Sequence, residues 1–456
     1  MTVAEPEVRV AAGALRGRLE PGVAVFKGIP FAEPPARFAA PQPVEAWDGT
    51  RDALSYGPPP PQSGLFGTDA AATSAEGWLT VNVWTPDPAA NLPVMVWIQG
   101  GGYLFGMSGL PEYDGGRLAR DGGVVLVTFN YRVGIEGFAQ IDGAPANRGL
   151  LDQVAALEWV RDNISAFGGD PDQVTVFGQS AGGGSVAALL AMPRAAGLFR
   201  RAVVQSMPIT FFTPELAADI ARVLAASLEP AGFATVPPGE LPAAGDSLMA
   251  EIGRYADRWG LAAHRMVPMA PVVDGGTLPA DPWQALAGGA ARDVDLIVGH
   301  VRNEQRLFAL LDGILGRITE EQAATALDLF APGPDGVARY RATGGSPDEM
   351  YDQVHSDWLF RMPSLHLAEA HTGRTYVYEL TWPAPGFGGV LGACHGLDVP
   401  LVLGNLTSGQ PAMLFGDDLT EAEIVSAQMR GAWTAFATGG DPGWPAYDRD
   451  KRLTRV

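Results

Sequence analysis

The chain of 456 residues has one cysteine, Cys394, so it can form neither an internal disulfide nor a cysteine-built metal centre. It is also poor in charge. Only 18% of residues are charged, and acids outnumber bases 51 to 31, giving a formal net charge of -20. Such a surface repels phosphate backbones and anionic lipid, so neither nucleic acid nor membrane is expected as a partner. No apolar run approaches the length needed to cross a bilayer, and the opening MTVAEPEVRV has neither a basic n-region nor an apolar h-region. A soluble, cytoplasmic protein is expected. HExxH, GxxxxGK(S/T) and a dinucleotide-binding glycine fingerprint are all missing, so no metal, nucleotide or nicotinamide cofactor is expected.

What is present is a chain 47% hydrophobic, enough to bury a large core. Residues 8–31 alternate apolar and polar around Gly13, Gly17 and Gly22, which predicts a small N-terminal antiparallel sheet of hairpins. Residues 32–74 are rich in proline and glycine, with GPPPPQ at 57–62, and read as loop with short helical turns. Apolar strands are expected at 79–84, 93–99, 124–130, 174–177, 201–205, 293–299 and 375–380. Helices are expected at 152–163, 181–190 and 421–438. Near-continuous apolar strands are covered on both faces, and strands alternating with helices predict an α/β architecture with a large, mostly parallel central sheet. The chain reads as a single domain, 1–456, in which 214–260 and 312–371 are helical insertions or regulatory subregions.

The stretch VTVFGQSAGGGS, residues 174–185, is a strand, a sharp turn and a small-residue helix, with Gly178 and Gly182 flanking Ser180 in G-x-S-x-G spacing. Small residues are needed there because a tight strand-to-helix turn must lift the serine hydroxyl above the sheet. The following helix N-terminus offers backbone N–H groups to a developing negative charge.

A serine needs a base, and the base needs a carboxylate. Of six histidines, His355, His366 and His371 lie on helical stretches and His264 precedes an apolar run, all reading as structural. His300 ends the strand DVDLIVGH, and His395 sits in the loop GACHGLD after the strand TYVYEL. Chain order serine, acid, histidine favours His395. Glu304, in VGHVRNEQRLF, is the preferred acid. Asp274 in APVVDGG is its rival, although Asp before Gly-Gly is more economically a turn. Cys394 reads as a small buried thiol. The strand PVMVWIQ runs into Gly100-Gly101-Gly102, which exposes N–H groups, so donors to an oxyanion are assigned to Gly101, Gly102 and Ala181.

Together FKGIPFAEPP, LTVNVWTP, PVMVWIQGGGY, FNYRVGIEGF, the run NRGLLDQ through FGQSAGG, APVVDGG and GACHGLDVPLVLGN resemble the type-B carboxylesterases, the para-nitrobenzyl esterase family of the α/β-hydrolase fold. The resemblance implies Ser180 as nucleophile, Glu304 as acid and His395 as base. It implies Ser206 in a supporting shell and an Arg37–Glu76 ion pair. Three departures stand out: Gln99 where the family has His, Gln179 where it has Glu beside the nucleophile, and no cysteine near Gly77. A neutral Gln179 argues against cationic choline esters.

The expected activity is hydrolysis of uncharged carboxylic esters, aryl or short-to-medium acyl, through an acyl-enzyme. Leu104, Phe105, Met107, Phe211, Phe212 and Phe308 are expected to line the substrate pocket. The partner is a small-molecule ester, handled by a monomer or weak oligomer. An adhesion or binding module of the same fold is the other class, disfavoured because the whole triad is present. Amidase, carbamate hydrolase and polyester-degrading roles would use the same machinery.

Overall fold

Val125–Phe129 and Arg201–Gln205 are buried at every position, as strands covered by helices on both faces must be. The computed structural model describes residues 5–34, 36–64, 76–228, 232–264 and 267–456. Its centre is a nine-stranded sheet. Leu92–Ile98, Val125–Phe129, Gly169–Gln179, Arg201–Gln205, Asp295–Val301 and Thr375–Leu380 run parallel to their neighbours. Thr80–Thr85, Val23–Pro30 and Arg18–Glu20 extend it antiparallel.

Alternation along each strand decides the two layers. Val94, Val96, Ile98 and Val176 point into one core, where they meet Val154, Leu157 and Val160 of the helix Arg148–Asn163 and the helix Ala181–Ala191. Met95, Trp97 and Phe177 point into the other, against Trp433, Phe436 and Ala437 of the helix Thr420–Gly439.

The N-terminal hairpins divide differently from expectation. Glu7–Val10 and Gly13–Arg16 do form a small sheet, completed by a parallel pairing with Thr50–Asp52. Arg18–Glu20 and Val23–Pro30 instead join the central sheet, because Val23–Phe26 are buried on both faces and pair with Thr80–Thr85. The 32–74 segment holds short strands, Ala32–Glu33, Gln42–Pro43 and Thr50–Asp52, where helical turns were expected; its residues 35 and 65–74 lie outside the described residues. Within 214–260 run the helices Pro214–Ser227 and Leu241–Glu251, with 229–231 outside the described residues. Within 312–371 run Glu320–Phe330, Gly336–Thr343, Pro347–Ser356 and Met362–Ala370, which close a satellite core of Ala326, Leu327, Phe330 and Val354. Among the described residues no helix is long and apolar enough to cross a membrane.

Arg37 pairs with Glu136, Nε to Oε1 at 3.0 Å, and not with Glu76. The reason is burial: Glu136 is inside the protein, where desolvation pushes its pKa up and an unpaired carboxylate would be costly. A second buried pair ties the sheet to its helix. Arg132, just beyond Val125–Phe129, meets Asp152 with Nη2 at 2.7 Å and Nε at 2.8 Å, and both side chains are almost wholly enclosed. Removing one partner strands the other charge. Asp152→Ala should therefore lower unfolding stability by about 3–5 kcal/mol in urea titration; a change under 1 kcal/mol would show that the pair does not carry this junction.

Candidate active site

The strand Gly169–Gln179 ends in the turn that carries Ser180, whose backbone sits at φ 58, ψ -126. A non-glycine residue there costs about 1–3 kcal/mol and persists only where its surroundings enforce it. They do so here. Ser180 N–H donates to Gln205 O at 2.9 Å, and Ser180 O accepts from Gly184 N–H at 2.9 Å as the helix begins. A Cβ on Gly182 would lie 2.0 Å from Ile98 O, so the helix can approach the neighbouring strand only because that position is glycine.

The residues expected as acid and base follow the strands Asp295–Val301 and Thr375–Leu380. Glu304 opens the helix Glu304–Leu311 and is fully buried; its Oε1 accepts from Val301 N–H at 3.1 Å, and its Oε2 lies 2.5 Å from His395 Nδ1. The rings of Phe360 and Phe308 flank the imidazole at 4.5 Å and 5.1 Å between centroids. Holding Nδ1–H against a carboxylate leaves Nε2 with its lone pair free to accept a proton. That atom does not meet Ser180. Among the described residues no hydrogen bond joins Ser180 Oγ to the His395 ring; His395 Nε2 lies 3.2 Å from Gln179 Nε2.

The glycine loop stands beside the elbow. Gly101 and Gly102 have φ 108 and 60, and a Cβ on Gly100 would lie 3.2 Å from Ser180 Cβ. Among the described residues the N–H groups of Gly101, Gly102 and Ala181 donate to no backbone carbonyl outside regular structure. Gln62, from the proline-rich loop, grips the far end: its Oε1 accepts from Gly106 N–H at 2.9 Å and its Nε2 donates to Gly106 O at 3.3 Å. This arrangement can deliver a hydroxyl to a carbonyl carbon and hold the resulting oxyanion.

A profile of the Carboxylesterase family matches residues 4–327. The chain belongs to the carboxylesterase family. It is 38% identical to the para-nitrobenzyl esterase of Bacillus subtilis (strain 168), over 97% of this chain and 93% of that one. It is 34% identical to the phenmedipham hydrolase of Pseudarthrobacter oxydans, over 98% and 94%. Among solved structures, the carboxylesterase of Geobacillus stearothermophilus superposes with a TM-score of 0.85 at 34% identity, over 98% of this chain and 95% of that one. The fold is thereby that of the α/β-hydrolases, and the protein is a serine esterase acting on carboxylic esters.

In this carboxylesterase several residues that the sequence did not reveal hold the site together. Asn303 N–H donates to Ala393 O at 2.8 Å while its Oδ1 accepts from Ala393 N–H at 3.3 Å, pinning the His395 loop to the turn that carries Glu304. Its Nδ2 reaches Asp352 at 2.9 Å. Beneath the elbow, the buried Asp398 accepts from Gln205 Nε2 and Tyr378 O–H, both at 2.9 Å, and burial pushes its carboxyl pKa up. Phe360 belongs to a π-helical turn, Asp357–Arg361. The Asn303 side chain caps nothing in its own turn, so no local pattern marks it; for Asn303 as for the others, only tertiary proximity reveals the role.

Of the expected pocket residues, Phe308 touches His395, and Phe105, Met107 and Phe211 are half-buried. Leu104 and Phe212 are buried core residues; Leu104 lines a small cavity with Gln62, Ile135, Glu136, Leu241 and Met269. Ser206 is fully buried at φ 46, its N–H donating to Gly299 O at 2.8 Å, and its Oγ has no partner among the described residues. Gln99 likewise has both amide atoms buried and unpartnered among the described residues. Asp274 is a turn residue, its Oδ1 accepting from Gly276 and Leu278 N–H groups at 3.0 and 2.9 Å. His371 bridges Thr375 and Ala291 O, His355 bonds Tyr351 O, and His300 lies buried against Val301 O.

Two outcomes follow from this geometry. Gly101→Ala would place a Cβ 2.2 Å from Phe105 O at a φ that side chains avoid, so kcat on an aryl ester should fall about a hundred- to thousandfold; a rate within threefold of the parent would remove Gly101 from the oxyanion cradle. Burial pushes the Cys394 thiol up to about 12, so at pH 8 hardly any thiolate exists and iodoacetamide should leave the folded enzyme unlabelled and active. Rapid alkylation of Cys394 under those conditions would contradict its enclosure.

Proposed function

We propose that Ser180 is the nucleophile, His395 the general base and acid, and Glu304 the carboxylate that fixes the imidazole. The observation that carries this reading is the 2.5 Å contact between Glu304 Oε2 and His395 Nδ1, beyond the ends of Asp295–Val301 and Thr375–Leu380 in the same sheet as the strand that leads to Ser180. Ser180 Oγ attacks the ester carbonyl as His395 Nε2 takes its proton, and the carbonyl oxygen becomes an oxyanion held by the N–H groups of Gly101, Gly102 and Ala181. Collapse expels the alcohol, which receives the proton from Nε2. Water then attacks the acyl-enzyme by the same path in reverse, releasing the acid and restoring Ser180. Glu304 stays ionised throughout and stabilises the imidazolium.

The substrates proposed are uncharged aryl or short-to-medium acyl esters. Three features support this. Gln179 brings no charge to the nucleophile, the base is walled by Phe308 and Phe360, and one relative is named for para-nitrobenzyl esters. Because Phe360 comes from 312–371, that segment is read as an insertion that shapes the pocket of a single 1–456 domain, as 214–260 is read on its own side. A cytoplasmic monomer or weak oligomer, needing neither cofactor nor nucleic acid, fits the single cysteine and the acidic surface.

The direct test is turnover of para-nitrophenyl butyrate by Ser180→Ala. Activity should fall about 10⁴-fold or more with the fold intact by circular dichroism; turnover near the parent rate would end the assignment.

A further inference from the structure

The hydrogen bond at His395 Nε2 is made by the wrong neighbour. Nδ1–H is committed to Glu304, so Nε2 offers one in-plane lone pair and can accept one donor. At 3.2 Å that donor is the carboxamide of Gln179, the residue immediately before the nucleophile. The orientation of the amide follows from the same logic. Turned over, it would set Oε1 against a ring nitrogen that carries a lone pair, two acceptors facing each other, whereas the NH₂ group supplies what Nε2 lacks.

The amide is well placed to hold this position. Gln179 is 6% exposed, at the last position of the strand Gly169–Gln179. A Cβ built on Gly100 would lie 3.4 Å from its Oε1, and one built on Gly396 would lie 4.0 Å from its Nε2. The side chain thus spans from the glycine loop to the base loop across the mouth of the elbow. A carboxylate at this position would have no hydrogen to give to a neutral imidazole, so the contact depends on the amide.

We propose that Gln179 is a positioning residue that competes with the Ser180 hydroxyl for His395 Nε2, so that the resting enzyme holds its base off the nucleophile and each turnover must first release the amide. This rests on the assignment of Ser180 and His395 above. A neutral hydrogen bond of this kind shifts such a competition by about two- to tenfold.

Two variants test it in the full-length enzyme, with a fluorophosphonate as the probe of Ser180. Gln179→Met keeps the length of the side chain and cannot donate; its phosphonylation rate constant should exceed the parent's by about two- to tenfold. Gln179→Glu also frees the neutral imidazole, and its negative charge beside Nε2 favours the imidazolium, so the acidic limb of kcat/KM should move about one pH unit toward alkaline. The other charged groups acting on that ring are Glu304 and Asp398, and both are unchanged in both variants. A Gln179→Met rate equal to or below that of the parent, or a Gln179→Glu acidic limb that coincides with it, overturns the competition. Failure of the parent enzyme itself to be phosphonylated would instead overturn the triad and this proposal with it.

Discussion

The strained turn at Ser180 is the constraint on which the rest of the site depends. A serine at φ 58 exists only because three neighbours leave it no alternative: Gln205 O takes its N–H, Gly184 N–H takes its carbonyl, and the helix behind it is pressed against Ile98 through Gly182. The about 1–3 kcal/mol that such a backbone costs is small against a core in which the whole helix Ala181–Ala191 is buried. The hydroxyl is held in place by sheet geometry, so its position is as rigid as the parallel register that sets Gly178 opposite Ile98 and Gln179 opposite Gln205.

Charge is placed with the same economy. Glu304 is wholly enclosed, and its two oxygens are each given a hydrogen, one by Val301 N–H and one by His395 Nδ1–H. An enclosed carboxylate without them would be protonated or would unfold its surroundings. Asn303 makes the pairing reproducible, because one side chain and one backbone N–H clamp the loop bearing His395 to the turn bearing Glu304. The aromatic rings of Phe308 and Phe360 then shield the imidazole from water, which strengthens its bond to Glu304.

The strand ends that carry Ser180, Glu304, His395 and the glycine loop were legible in the sequence because each leaves a local pattern: small residues around a turn, a glycine run after an apolar strand, a histidine among glycines. The strands themselves were legible for a related reason, since full burial demands unbroken apolar runs. What was not legible depends on partners far away in the chain. Alternation in residues 18–30 gives strands but not the sheet they join, which is decided by pairing with Thr80–Thr85. Arg37 finds Glu136 rather than Glu76 because the buried carboxylate has the greater need of a cation. Gln62, Gln205, Asp398 and Phe360 are ordinary residues in ordinary stretches, and only the folded chain brings them to the site. Gln179 was visible as a departure from the family pattern, but its bond to His395 was not.

The central claim is that one hydroxyl, activated by one imidazole, carries the reaction. Peptide mapping by mass spectrometry after reaction with a fluorophosphonate tests it most directly. The account predicts a single adduct, on Ser180, whose formation in His395→Ala is slowed by several orders of magnitude. An adduct on any other residue of the folded parent, or undiminished labelling of Ser180 without His395, would contradict it.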